Sequence, residues 1–169
     1  PISPLAPAGF PDLPAIKGVR FAATAAGIKY TDRDDVMLAV MDAGTSVAGV
    51  FTRSATRSAN VLDCQAKLGG DSAGPAAILV NSGNSNAFTG HFGQTSVADI
   101  SASVAAEVGI DEARVFTAST GVIGEPLPHE KISTRMPELI ADLDAEGIAM
   151  AAQAIMTTDT YPKGASAQV

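Results

Sequence analysis

Two hydroxyl-and-glycine segments and one run of asparagines hold the side chains in this sequence best suited to chemistry. Ser119 to Glu125 (STGVIGE) follows a short run containing β-branched residues. A Thr-Gly step can aim a hydroxyl and an unhindered backbone N–H at one point, which is what the oxyanion developing during acyl transfer requires. A turn ahead of Leu127-Pro128 accounts for the same residues equally well. Met156 to Lys163 (MTTDTYPK) groups three threonines around one aspartate, a pattern that either caps a helix stopped by Pro162 or binds polar substrate groups. Asn81 to Gly90 (NSGNSNAFTG) follows another apolar run. Its amides can bond their own backbone in a tight loop or line a polar pocket. It has the position of a phosphate loop but neither GxGxxG nor GK[ST], so nucleotide binding has little support.

Other reactive groups are sparse. His91 and His129 match no zinc spacing such as HExxH and are expected as surface polar residues. Cys64 is the only cysteine, which excludes an intrachain disulfide and a multi-cysteine metal site; a lone cysteine is expected as a small buried hydrophobe in a reducing, cytoplasmic setting. Nothing in the sequence pairs it with a histidine. Pro1 opens a proline-rich stretch rather than a pocket, which argues against a secondary-amine nucleophile there. A net charge of −7 without a basic cluster makes nucleic acid a poor partner. No apolar run approaches the roughly 20 residues of a membrane span, and Pro1 to Pro14 lacks the basic and continuous apolar regions of a secretory signal.

The elements that must position these groups follow from periodicity. Residues 1–15 (PISPLAPAGFPDLPA) favour an extended arm lying over a surface, leaving 16–169 as a single α/β domain. Val36 to Met41 and Ser46 to Phe51 flank Asp42-Ala43-Gly44-Thr45 and read as a hairpin. Ala76 to Val80 and Ala113 to Thr117 read as buried strands, each running into a polar loop. Between them Val97, Ile100, Val104 and Val108 predict an amphipathic helix, started by a Ser96/Asp99 capping box and stopped at Gly109. Ile132 to Leu143 predicts a second helix kinked or divided at Pro137, and Glu146 to Met156 a third. Ala165 to Val169 reads as the start of a strand without its neighbours, so a further piece of protein is expected. An α/β or α+β domain of 169 residues, with 46% hydrophobic residues, can bury a real core.

Taken together, Ala26-Gly27-Ile28-Lys29, Gly49-Val50-Phe51-Thr52, the Asn81 to Gly90 segment, Ser119 to Glu125 and Ala154 to Thr160 (AIMTTDT) resemble the ornithine acetyltransferase family. The resemblance covers nearly the whole chain. It implies the α chain of an enzyme, also called bifunctional glutamate N-acetyltransferase and amino-acid N-acetyltransferase, that serves arginine biosynthesis. The implied precursor cuts itself before a threonine, which becomes the nucleophile at the start of a β chain. By matching position, Thr120 and Gly121 would form the oxyanion hole and Thr157 would bind the amino-acid substrate. The implied chemistry is ping-pong transfer of acetyl from N-acetylornithine to glutamate, with acetyl-CoA as a further donor in bifunctional members and no cofactor.

The implied fold is a layered α/β (α+β) sandwich of the self-cleaving aminopeptidase type, and the implied assembly an α2β2 heterotetramer. The family's Ala-Lys-Gly-type segment and cut site lie outside this sequence, and Lys163 belongs to TTDTYPK rather than to that segment. The isolated chain is therefore expected to be inactive. A related self-processing aminopeptidase or amidase, and a non-catalytic α/β ligand-binding module, are the competing readings.

Overall fold

The computed structural model describes residues 2–70 and 73–167. A four-stranded sheet of order β1-β2-β3-β4 forms its centre, from β1 (Val19–Thr24), β2 (Val36–Met41), β3 (Ala76–Asn84) and β4 (Val115–Val122). The first three strands are antiparallel neighbours, and β3 pairs parallel with β4. A parallel pair needs a long crossover. Here the crossover is α2 (Gly90–Val108), followed by a single 3-10 turn at Glu112–Arg114. The remaining helices are α1 (Ala59–Lys67), α3 (His129–Ser133), α4 (Met136–Ala141) and α5 (Ile148–Ala154).

Strand alternation sends Ala22, Val36, Leu38, Val40, Ala77, Leu79 and Val115 to one face, where they pack on Ile100 and Val104 of α2, Ile132 of α3, and Met136 and Leu139 of α4. The opposite face is less covered. Phe21, Met37, Ile78 and Val80 are half-buried there and Ala118 is exposed, with α5 lying over β1 and β2. β4 is the open edge, and only its beginning is screened by α1. Lys67 Nζ donates to Val115 O at 3.0 Å, and Cys64 Sγ to Thr117 O at 3.4 Å.

Several sequence expectations change here. Ser46 to Phe51 forms no strand, so the hairpin with Val36 to Met41 is absent. β2 instead takes β1 and β3 as partners, and the 43–45 turn is tethered by the buried Arg114, whose Nη2 donates to Thr45 O at 2.5 Å. β1 and α1 had no element assigned to them. The strand at Ala113 begins at Val115 because Asp111 Oδ1 accepts from Ala113 N and closes a 3-10 turn first. α2 begins at Gly90 rather than at a Ser96/Asp99 capping box; Ser96 lies inside the helix and bonds back to Phe92 O at 2.9 Å.

Gly109 does end α2, at φ +75°. Pro137 divides the next helical run, opening α4 where its missing N–H costs nothing. Glu146 to Met156 contributes only α5 to regular helix. Residues 165–167 have no regular structure, while Gln168, Val169 and Pro1 lie outside the described residues. Among the described residues no helix is long and apolar enough to cross a membrane.

Candidate active site

The ends of β3 and β4 bring the polar segments together. Ser82, Gly83 and Asn84 of β3 stand against Thr120, Gly121 and Val122 of β4, with a register irregularity at Gly83/Asn84. Both loops begin as strand: the ladder continues past Val80 and Thr117 because two glycines face each other across it. Gly121 has φ +135°, and a Cβ there would stand 2.3 Å from Gly83 C and 2.6 Å from Asn84 N. Gly83, at φ +94°, would bring a Cβ to 2.9 Å from Lys29 Cβ. Only glycine tolerates both the left-handed backbone and the close approach.

Val115 and Thr117 turn their carbonyls to the open edge, and alternation along the strand gives Ser119 and Gly121 the same side. Val122 has the opposite parity and indeed returns its carbonyl to Ser85 N at 2.9 Å. The Gly121 N–H thus looks outward from the unpaired edge, beside the half-buried Thr120, whose hydroxyl makes no side-chain hydrogen bond within the described residues. The Thr120 hydroxyl and the edge-facing Gly121 N–H are neighbours in the chain, a pair able to receive an oxyanion.

The asparagine run forms the base beneath this edge. Ser119 Oγ donates to Asn81 Oδ1 at 2.6 Å, and Asn81 Nδ2 to Asn84 O at 2.9 Å. Asn84 Nδ2 donates to Glu125 O at 3.0 Å, while its Oδ1 accepts from Asn86 N at 2.7 Å. Asn86 Nδ2 reaches Asn60 Oδ1 and Gly93 O, and its Oδ1 accepts from Thr89 Oγ1 at 3.0 Å. Asn60 in turn donates to Thr117 Oγ1 at 2.8 Å. All four asparagines are buried, so their amides are consumed inside the chain. Of the two readings of this run, the self-bonded one holds. The network also sustains Asn86 at φ 48° and Phe88 at φ 58°, left-handed conformations that cost energy at non-glycine residues.

Thr157 arrives from the other side. Ser82 Oγ donates to Ala154 O at 2.7 Å, which fastens the end of α5 to the ladder partner of Thr120. Arg33 Nη2 holds Met156 O at 2.6 Å and Gln153 O at 3.3 Å. Thr157 is half-buried beyond the helix, so it caps nothing: Ile155 is the C-cap. Asp159 organises the segment, accepting from Thr157 N at 3.5 Å and from Lys163 at 2.5 Å; the Lys163 ammonium, ahead of the Thr157 amide, holds its carboxyl below the usual range. The N-terminal arm crosses the same segment, with Ser3 N on Thr160 Oγ1 at 3.1 Å. A cavity of about 520 Å³ alongside is lined by Asp32, Asp34, Gln153, Thr160 and Tyr161, among others. Thr120, Gly121 and Thr157 line none of it.

The histidines and the cysteine stay apart from this region. His91 is exposed, but His129 is only partly so: Nε2 meets Asp99 Oδ2 at 2.9 Å and Nδ1 meets Ser96 Oγ at 3.1 Å. Ser96 is 2% exposed and gives its proton to Phe92 O, so this serine-histidine-aspartate set clamps α3 to α2 instead of supplying a nucleophile. Cys64 is buried as expected, and burial pushes its thiol up. Among the described residues no group of three or more His, Cys, Asp or Glu could hold a metal ion.

Reasoning from sequence missed Arg33, Tyr30, Asp35 and Asn60. Asp35 is the last of three acids (Asp32, Asp34, Asp35) just before an apolar strand; buried, it accepts from Ala26 N at 2.7 Å and Ile28 N at 2.6 Å.

Comparison with known proteins bears on the same segments. The model of the ArgJ family matches residues 20–169. The arginine biosynthesis bifunctional protein ArgJ of Ruegeria pomeroyi is 67% identical over 168 residues, 99% of this chain and 41% of the relative; that of Bradyrhizobium diazoefficiens is 53% identical over 169. The chain thus spans about two fifths of the length of these curated relatives. Among solved structures, ornithine acetyltransferase of Mycobacterium tuberculosis complexed with ornithine superposes with TM-score 0.78 at 31% identity, over 90% of this chain and 91% of that one. ArgJ of Bacillus halodurans gives TM-score 0.77 at 33% identity, over 85% and 74%. The mixed α+β layering is the fold of these enzymes, and the chain belongs to the ArgJ family.

Proposed function

We propose that this chain is the α portion of an acetyltransferase that moves acetyl from N-acetylornithine to glutamate in arginine biosynthesis, and that its open β4 edge supplies the oxyanion hole. The observation that carries this reading is the pairing of the Thr120 hydroxyl with an outward Gly121 N–H on an unpaired edge strand. The names of the relatives support the pathway, and the Mycobacterium enzyme, solved in complex with ornithine, supports the amino-acid substrate.

The nucleophile in this reading is the N-terminal threonine of a β chain, with its own α-amine as base. Its hydroxyl oxygen bonds to the acetyl carbonyl carbon, and the carbonyl electrons move onto oxygen, where Thr120 and Gly121 donate. Collapse breaks the amide C–N bond, and ornithine leaves with the proton. The amine of glutamate then attacks the acetyl ester through a second tetrahedral state held by the same two donors. Thr157 binds the amino-acid part of donor and acceptor in turn. The part of the half-covered sheet face beyond α5, with Ile78, Val80 and Ala118, is the surface that the β chain would cover in an α2β2 assembly. Bifunctional members would also accept acetyl from acetyl-CoA.

The test is steady-state acetyl exchange by the full-length enzyme and its Thr120→Ala variant. Losing one oxyanion donor should lower turnover by about 10²-fold or more with assembly intact. Glutamate should accelerate release of ornithine; release indifferent to glutamate marks a hydrolase, and an unchanged rate in Thr120→Ala removes the oxyanion assignment.

A further inference from the structure

Resting on that assignment of Thr157, we infer that Arg33 is a positioning residue for the substrate-binding segment, fixing where Thr157 stands relative to the Thr120-Gly121 edge. Arg33 is half-buried and spends three hydrogen bonds on backbone carbonyls: Nη2 on Met156 O at 2.6 Å and Gln153 O at 3.3 Å, and Nε on Asp34 O at 3.2 Å. Met156 directly precedes Thr157 in the chain, and no regular element holds it. A guanidinium suits this place because its planar fork reaches several acceptors from one rigid plane and its charge faces the carbonyl end of α5.

The other side of Arg33 leads to the oxyanion edge. Its guanidinium carbon lies 4.5 Å from the centre of the Tyr30 ring, a cation–π contact that fixes the side chain from below. Tyr30 rests against β3 at Gly83, where its Cε2 would be 3.4 Å from a Cβ. Gly83 is the ladder partner of Gly121. Asp35 anchors the loop that carries Tyr30 and Arg33 to the start of β2 through the Ala26 and Ile28 amides. An unbroken set of contacts therefore runs from Met156 through Arg33 and Tyr30 to Gly83 and Gly121. The Ser82 to Ala154 bond ties the end of α5; beyond it Met156 N turns back to Gln153 O at 3.2 Å and Thr157 N meets only the exposed Asp159 at 3.5 Å, so Arg33 is the group that joins the Met156–Thr157 step to the β2–β3 side of the fold.

The test uses the full-length enzyme with Arg33→Met, Arg33→Lys and Thr157→Ala variants, measuring KM and kcat for N-acetylornithine. Arg33→Met should raise KM about tenfold or more while kcat falls much less, because the lost interaction positions a binding group. Arg33→Lys should recover little of this, since an ammonium cannot reproduce the fork. Guanidinium ion at low, non-denaturing concentration should lower the KM of Arg33→Met towards wild type. The Arg33→Met/Thr157→Ala double variant should be no worse than the poorer single variant, as expected for two groups acting through one contact.

Unchanged KM in Arg33→Met beside a raised KM in Thr157→Ala overturns the positioning role and leaves the site reading standing. Unchanged KM in Thr157→Ala overturns the site reading, and this inference with it. Parallel loss of kcat and thermal stability without rescue by guanidinium also overturns it, by making Arg33 a general prop of the fold. Should Arg33→Met fail to give soluble enzyme, Arg33→Lys decides the matter, and a wild-type KM there overturns the inference.

Discussion

Replacing Gly121 by alanine tests the close approach of β3 and β4 directly. Two penalties combine. The φ of +135° is one that a side chain rarely adopts, costing about 1–3 kcal/mol. The new Cβ would also meet Gly83 C at 2.3 Å, whereas ordinary contact begins at 3.4 Å, and the obstructing atoms are backbone that cannot swing aside. Relief needs the strands to part by about 1 Å, which stretches ladder hydrogen bonds out of range; each contributes about 1 kcal/mol. A total of about 3–5 kcal/mol follows; this chain is 41% of the length of its curated relative, and over an enzyme of that size the loss is a fall in Tm of about 5 °C. The same displacement moves the proposed oxyanion donors, and 1 Å of misplacement costs about 10²-fold in turnover. Differential scanning calorimetry and acetyl exchange on the full-length enzyme read both effects. Gly124→Ala is the control, with φ +83° but nothing within 4 Å of its Cβ, so it should lose about 1 kcal/mol and keep its turnover. A Gly121→Ala enzyme that melts within about 1 °C of wild type and turns over within twofold would refute the described approach of the two strands.

Asn86→Ala should destabilise by about 3 kcal/mol, because it strands the groups of Asn60, Gly93 and Thr89 that it bonds and leaves a left-handed residue without its support; calorimetry showing less than about 1 kcal/mol would mean that the loop holds itself by other means. The Cys64 thiol is pushed up by burial, ahead of the Asp63 carboxylate, so its contribution to stability is fully present below the ordinary thiol value of about 8.5 and is lost as pH rises through the folded value. Cys64→Ala should accordingly flatten the alkaline fall of Tm above about pH 8.5, and an unchanged slope would assign that fall to other groups. The Asp159 carboxyl, lowered by Lys163, should titrate by NMR below ordinary aspartates and return towards them in Lys163→Met; being exposed, it should add little to overall stability.

Periodicity found the parts of the fold whose burial is one-sided. α2 displayed Val97, Ile100 and Val104 because one stripe meets the sheet, and Pro137 marked a division because proline lacks the N–H that a helix interior needs. Misreadings arose where distant contacts overrode local pattern. The apolar run Ser46 to Phe51 looked like a hairpin arm, yet β2 already has β1 and β3 on its two sides. Ser96 and Asp99 had capping spacing, but α2 starts seven residues earlier, after Thr89, whose side chain turns back to Asn86. At the site, Thr120 and Gly121 were visible as a Thr-Gly step because glycine has few reasons to follow a strand residue. Arg33 and Tyr30 were not, since their partners are carbonyls and a ring face lying far off in the chain, and no spacing encodes those.

The asparagine network also bears on how this protein ages. Asparagine followed by a small residue deamidates when the next backbone nitrogen attacks the side-chain carbonyl, and both Asn81-Ser82 and Asn84-Ser85 have that sequence. In the folded chain those nitrogens are engaged: Ser82 N donates to Asp35 O at 2.8 Å and Ser85 N to Val122 O at 2.9 Å. The strand geometry that serves the Thr120 edge therefore also shields its base from chemical decay. The protection lasts only while the ladder is closed. Each opening exposes two ageing clocks, and an aspartate formed at position 81 would put a negative charge where Ser119 now donates to a neutral amide and the surroundings are buried, so the damaged strand pair would close less well than before.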